Sequence, residues 1–200
     1  HSRRKCPAHL QMRAQETETS NLRTEQTQTG TDSPNSGAEK TQRETKSQTR
    51  AFDASYIRAV EGEGNERRFL LSFSSEEPYE RFWGKEILDH SPEAVDLSRL
   101  SSTGVLLFNH NRDKVLGKIL RAWVENRRGM AEVEFDLDEA SEVIFQKVKS
   151  GTLKGVSIGY RIDVTEDVHP GKVSSDGRFT GPCTIAKQWT PHEISIVSVP

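Results

Sequence analysis

Cysteine is almost missing from this chain of 200 residues, where Cys6 and Cys183 are the only two. So few thiols, one of them in a polar leader, exclude a disulfide-stapled secreted scaffold and a cysteine-rich zinc site. Long hydrophobic runs are missing too. No apolar stretch approaches the ~20 residues that cross a bilayer, and the basic opening HSRRKCPAHLQMRAQ lacks the apolar segment of a signal peptide. Nor is there an excess of positive charge: 28 Lys and Arg face 30 Asp and Glu, a formal net charge of −2. That balance argues against a dedicated nucleic-acid binder, which carries a marked basic bias. The six histidines are scattered, with no HExxH and no close ligand pairing, so a metallohydrolase or a structural zinc has no support. The expectation from these absences is a soluble intracellular chain, with no nucleic-acid or membrane partner and no metal or cofactor.

Apolar residues make up only 32% of the chain, low for a sequence that folds along its whole length. The deficit sits at the start. Residues 1–50 are dominated by Gln, Thr, Ser, Glu, Lys and Arg, as in ETETSNLRTEQTQTGTDSPNSGAEKTQRETKSQTR. Such a segment buries too little apolar surface to offset the entropy of ordering it. It reads as a disordered leader, the alternative being a propeptide or a tail that orders on contact with a partner. Residues 51–200 read as one domain. The chain opens on His1 and stops at VSVP inside a strand-like run, which suggests an excerpt of a longer polypeptide, truncated at the C-terminal end of that domain.

Within the domain, FLLSF (69–73) and ERFWGKEIL read as strands. SPEAVDLSRL (91–100) predicts a short helix capped by Ser91, with Ala94, Leu97 and Leu100 on one face. GVLLFNH (104–110) predicts a buried strand, and VLGKILRAWVENRRGMAEVEFD a β-hairpin turning at Asn126–Gly129. In its second arm Ala131, Val133 and Phe135 alternate with acidic residues at the period of a half-buried strand. LDEASEVIFQKVKSG predicts a helix capped by Asp138, striped by Ala140, Val143, Ile144 and Val148, and stopped at Gly151. GVSIGYRIDV and TIAKQWTPHEISIVSV predict further strands around a polar loop. The fold class is α+β, dominated by an antiparallel sheet or barrel.

Three places carry residues suited to chemistry. His110 ends the apolar run GVLLF within the polar knot NHNRD, where a rigid strand end beside an open loop suits a general base. The bland alternative is a histidine bonded to backbone. Ser157 lies in GVSIG, whose small neighbours let a substrate backbone approach and leave N–H groups free for an oxyanion. The letters match the GxSxG elbow, but a helix precedes this motif and a strand follows it, the reverse of the hydrolase context. Otherwise Ser157 is a packed strand residue. In WTPHEISIVSV, Glu193 alternates with Ser195 and Val197, while His192 shares the opposite face with Ile194 and Ile196. A carboxylate at a strand mouth could orient an imidazole, and the alternative is a rim charge. Cys183, near His192 in sequence, offers a thiol nucleophile but no activating helix N-terminus. His1, His9 and His169 read as solvated, and His90 as serving locally. From residues alone the chain supports a Ser-His hydrolase site or a non-catalytic β-rich assembly module.

Taken together and in order, the blocks WGKEILDHSPEAVDLSRL, LLFNHNRDKVLGKI, FDLDEASEVIFQKVKSGTLKGVSIGY and WTPHEISIVSVP resemble the tailed-phage prohead (capsid maturation) serine protease family, over roughly residues 52–200. The resemblance implies a small β-barrel-like core with flanking helices, similar in fold to the herpesvirus assembly proteases. It implies a serine endopeptidase with His110 of the LLFNHN motif as base, Ser157 of the GVSIGY motif as nucleophile and Glu193 of the EISIVSVP motif as third member. His192 is the alternative third member, because the herpesvirus enzymes use a second histidine. It further implies protein substrates, namely scaffold, the scaffolding segment of the major capsid protein, and the protease itself. The expected place of action is the procapsid in the bacterial cytoplasm, as a homo-oligomer or fused to the capsid protein.

Overall fold

The computed structural model describes residues 47–52 and 57–200; the leader over 1–46 lies outside them. The described strands, in chain order, are β1 (Gln48–Phe52), β2 (Ile57–Ala59), β3 (Arg68–Ser75), β4 (Tyr79–Arg81) and β5 (Gly84–Leu88). Helix α1 (Ser98–Thr103) precedes β6 (Val105–Phe108), β7 (Asn111–Glu125) and β8 (Arg128–Phe135). Helix α2 (Glu139–Lys149), β9 (Gly155–Val168) and β10 (Cys183–Val197) complete the list. Gln48, Thr49 and Arg50, the last described residues of the polar leader, are thus strand residues.

One curled sheet holds all these strands, in the order β1-β9-β10-β6-β7-β8-β3-β2, with β5 on β10 and β4 on β5. Most of its pairings are antiparallel, as expected, but the sheet is mixed. β10 takes β9 antiparallel along one edge, and both β5 and β6 parallel along the other. The sheet order has two ends, β1 and β2, so the sheet is an open half-barrel and not a closed one.

The parallel edge explains why the predicted helix over 91–100 does not form there. Residues 84–108 follow β10 like a broken strand. Ile87 pairs with Ile185, Val95 bridges Trp189 and Leu106 pairs with Ile194. Trp189 N–H donates to the Ala94 carbonyl and Asp96 N–H to the Trp189 carbonyl. Glu93 has φ of 68°, a left-handed value no helix accommodates. These tertiary bonds outweigh a weak local propensity, and the helix starts only at Ser98.

The other elements follow their local chemistry. Asp138 accepts the Ser141 N–H at 3.0 Å and caps α2, Lys147 and Lys149 lie in its last turn, and Gly151 follows with φ of 76°. Its buried face is Ser141, Ile144, Phe145 and Val148. That is rotated from the predicted stripe, for Val143 is 51% exposed. Phe145 decides the rotation by meeting Phe69 and Phe135 at ring distances of 5.9 and 5.7 Å. β8 buries Ala131, Val133 and Phe135 as its alternation requires. The β7–β8 turn is tighter than predicted: Glu125 pairs with Arg128, and Asn126 and Arg127 both have positive φ, the geometry of a type I′ hairpin. Inside the curl, Leu106, Ile158, Tyr160, Trp189, Ile194 and Ile196 are at most 1% exposed, so β6, β9 and β10 form a stiff platform. No helix among the described residues is long and apolar enough to cross a membrane.

Candidate active site

Three neighbouring strands deliver the three chemistry-bearing motifs to one place. In the register of β9 and β10, Ser195 lies opposite Ser157 and Glu193 opposite Gly159. On the other edge of β10, Ser195 lies beside Leu107 of β6. Two residues beyond Phe108 comes His110, in the turn that joins β6 to β7.

That turn is a second two-residue hairpin, because Phe108 pairs with Asn111 across Asn109 and His110. Both turn residues are left-handed, with φ of 51° and 56°, again type I′. Glycine is the usual second residue. A histidine there costs on the order of 1 kcal/mol of backbone strain, and the surroundings hold it. His110 N–H donates to Ser195 Oγ at 3.1 Å, Asn109 N–H to the Ile196 carbonyl at 2.9 Å, and Ser198 N–H to Asn109 Oδ1 at 2.9 Å.

So anchored, the imidazole bridges two side chains. Its Nδ1 lies 2.6 Å from Glu193 Oε1, and its Nε2 lies 2.7 Å from Ser157 Oγ. A carboxylate only accepts, so Nδ1 carries the proton and the Nε2 lone pair faces the serine hydroxyl. Glu193 is itself held: its other oxygen, Oε2, accepts from Ser195 Oγ at 2.7 Å. Ser195, wholly buried, therefore takes a bond from the His110 backbone and gives one to the carboxylate that orients the ring. The relay is partly shielded, with the His110 and Glu193 side chains 27% and 16% exposed. In chemical terms it is a hydroxyl beside a base whose tautomer an acid has selected.

The two glycines of GVSIG have a different purpose from the one their size suggests. A Cβ at Gly159 would stand 2.6 Å from Glu193 Oε1, and one at Gly155 2.6 Å from the Val197 carbonyl. Gly159 makes room for the carboxylate, and Gly155 for the close approach of β10. Sequence reasoning passed over Ser195 as a functional residue, although its place two residues from Glu193 on the same face is the signal that would have found it.

His192 stands apart. Its Nδ1 is buried with no hydrogen-bond partner, and burial, then Arg99 and Arg161, lower its pKa. A register shift between Pro191 and Glu193 turns the strand here. Cys183 lies ten residues before Glu193 along β10, roughly 30 Å at ~3.3 Å per residue. It packs with Ile87, Val168 and Ile185, and burial pushes its thiol pKa up, opposite to what a nucleophile needs. His90 is buried, donating from Nδ1 to the Leu88 carbonyl at 2.9 Å with Nε2 at 2.7 Å from Ser74 Oγ. His169 is exposed; His1 and His9 lie outside the described residues.

This architecture is shared with a phage assembly enzyme. The structure of the bacteriophage T4 capsid assembly protease superposes with a TM-score of 0.53, covering 79% of this chain and all of the other at 11% identity. At that identity the likeness establishes the fold. The family is established by sequence: the family model described as caudovirus prohead serine protease matches residues 72–200. This chain belongs to that family. A major capsid protein of Halomonas phage phiHAP-1 is 35% identical over 133 residues, 64% of this chain. The match spans about a fifth of that relative's length, 21%.

Proposed function

We propose that this chain is a serine endopeptidase of phage head maturation, in which Ser157 is the nucleophile, His110 the general base and Glu193 the residue that orients and charge-stabilises the imidazole. The observation that carries the reading is the continuous line from Glu193 through His110 to Ser157, with links of 2.6 and 2.7 Å. His110 Nε2 takes the Ser157 proton as Oγ bonds to the scissile carbonyl carbon. The imidazolium, paired with Glu193, then protonates the departing amine, and water hydrolyses the ester by the same route in reverse. His192, not joined to this line, is not given a role.

The substrates proposed are the capsid protein's scaffolding segment or a separate scaffold, cut inside the procapsid in the host cell. Support comes from the relative named a major capsid protein, of which the matching region is a fraction. A protease segment carried in one polypeptide with capsid protein would be enclosed with its substrate at assembly.

The test is acylation and turnover. Wild type should react with a fluorophosphonate at Ser157 and cleave a capsid-derived polypeptide. Ser157→Ala and His110→Ala should each lower turnover by roughly 10⁴-fold or more, and Glu193→Gln by a similar order through the wrong tautomer. Equal behaviour of all four proteins, with no labelling, would leave Ser157 a packing residue and the domain a non-catalytic assembly module.

A further inference from the structure

Ser157 is only 2% exposed, and the chain itself lies across its hydroxyl. β1 runs antiparallel along the free edge of β9, with Arg50 opposite Ile158 and Ala51 opposite Ser157. Ser157 Oγ lies 2.8 Å from the Arg50 carbonyl oxygen, placed to donate to it. An extended segment paired to a sheet edge is how a peptide is held by strand addition, and here the pairing brings the Arg50 carbonyl within reach of the Ser157 hydroxyl.

The Arg50 side chain is also held as a substrate side chain would be. It is 2% exposed although it comes from a polar segment. Its guanidinium donates to the Glu77 carbonyl and lies 5.1 Å from the centre of the Tyr79 ring. Burial, the largest influence, lowers its pKa, and Arg81 adds to that more weakly, while Glu86 favours the charged form. Glu86 is a carboxylate of 1% exposure on β5, shared with Arg81 at 3.1 Å and with the Tyr160 hydroxyl. The β4–β5 hairpin and β9 thus build an aromatic and acidic pocket, suited to a cation with a flat delocalised face.

We infer that β1 lies in the cleft as the chain's own first substrate: the Arg50–Ala51 peptide bond is a scissile bond, and the pocket of Tyr79, Glu86 and Tyr160 selects arginine immediately before the bond that is cut. This rests on the roles proposed above for Ser157 and His110. Ser157 has one proton and two acceptors within reach, the Arg50 carbonyl and His110 Nε2. When the proton passes to Nε2, Oγ bonds to the Arg50 carbonyl carbon. The C–N bond to Ala51 breaks, and the proton leaves on the new Ala51 amine. Water then hydrolyses the ester, leaving a carboxylate on Arg50 and the hydroxyl on Ser157. Until that cut the cleft is closed to other chains. Being intramolecular, the cut precedes attack on any free substrate.

The experiment follows the whole chain by intact mass and N-terminal sequencing, with fluorophosphonate labelling alongside. Wild type should yield a product beginning at Ala51, and Ser157→Ala should stay whole. Arg50→Glu, whose carboxylate the pocket holding Glu86 rejects, should release β1 from the cleft, so that the chain stays whole at this bond while Ser157 takes the label. Processed wild type should cut peptides with arginine before the bond roughly 100-fold faster than the same peptides with glutamate there, and Glu86→Gln should narrow that ratio. A labelled wild type that stays whole, is cut at another bond, or shows no preference for arginine overturns the inference and leaves the protease reading standing. A chain that neither labels nor cuts any peptide overturns both.

Discussion

Gly159 and Glu193 show how closely single residues are set at the candidate site. The carboxylate occupies the space a Cβ would take, so Gly159→Ala must push Glu193 off the imidazole. The clash falls on the mobile end of a side chain, and alanine restricts the unfolded chain more than glycine does, so the fold should tolerate the change. The expected result is an unchanged or slightly raised melting temperature with kcat reduced roughly 10- to 100-fold, the effect of displacing a catalytic partner by about 1 Å. Paired melts and steady-state kinetics read this directly, and unaltered kcat would mean that Glu193 does not orient His110. At this scale Ser157, His110 and Glu193 were legible as suited residues from their motifs, although only His110 lies where a strand meets a turn, Ser157 and Glu193 being inside β9 and β10. What local reading missed was Ser195, whose importance lies in touching both the His110 backbone and the Glu193 carboxylate.

At the scale of elements, caps and periods predict well where an element answers mainly to its own hydrogen bonds. The Asp138 cap, the alternation of β8 and the place of the β7–β8 hairpin stand as read, apart from a tighter turn, since each is decided within a few residues. The two larger departures have one cause, a partner distant in sequence. Val95 and Asp96 are claimed by Trp189, which cancels a helix, and Phe145 turns α2 towards Phe69 and Phe135. The rotation of α2 separates two substitutions. Phe145→Ala should cost about 3–5 kcal/mol of unfolding free energy, as for a buried aromatic ring. Val143→Ala, on the exposed face, should stay within about 0.5 kcal/mol. Urea denaturation of the two variants checks the assignment, and the stripe read from sequence predicts a large effect at Val143.

For the whole molecule, acid should act through His90 before it reaches the carboxylates. Burial lowers its pKa to about 4 from an ordinary 6.5. Its neutral ring accepts from Ser74 while donating to Leu88. Since the folded state resists protonation and the unfolded state does not, this contribution is complete above pH ~6.5 and is lost as pH falls towards 4. The full loss is about 3 kcal/mol. Burial lowers the pKa of His192 as well, adding in the same direction. Below that window Asp89 follows: burial raises its pKa, but Lys187, Ser91 and Arg178 outweigh it and hold it at about 2. Unfolding free energies measured from pH 7.5 to 4.5 should fall steadily in wild type, and His90→Gln should flatten most of that slope. A His90→Gln profile parallel to wild type would show that the ring is not buried neutral.

By itself the sequence determined the inventory: a polar leader, many strands and two helices, and three motifs bearing a hydroxyl, an imidazole and a carboxylate. Those follow from composition, period and capping, which are local. Only the tertiary structure decided that His110 lies against Ser157, 47 residues on, and against Glu193, 83 residues on. It alone decided that β10 is paired in parallel by β5 and β6, and that β1 lies along the edge of β9 beside Ser157. Strand adjacency is made by hydrogen bonds between segments far apart in the chain. Local propensity is blind to such partners, so a site built across three strands exists only once the sheet has formed.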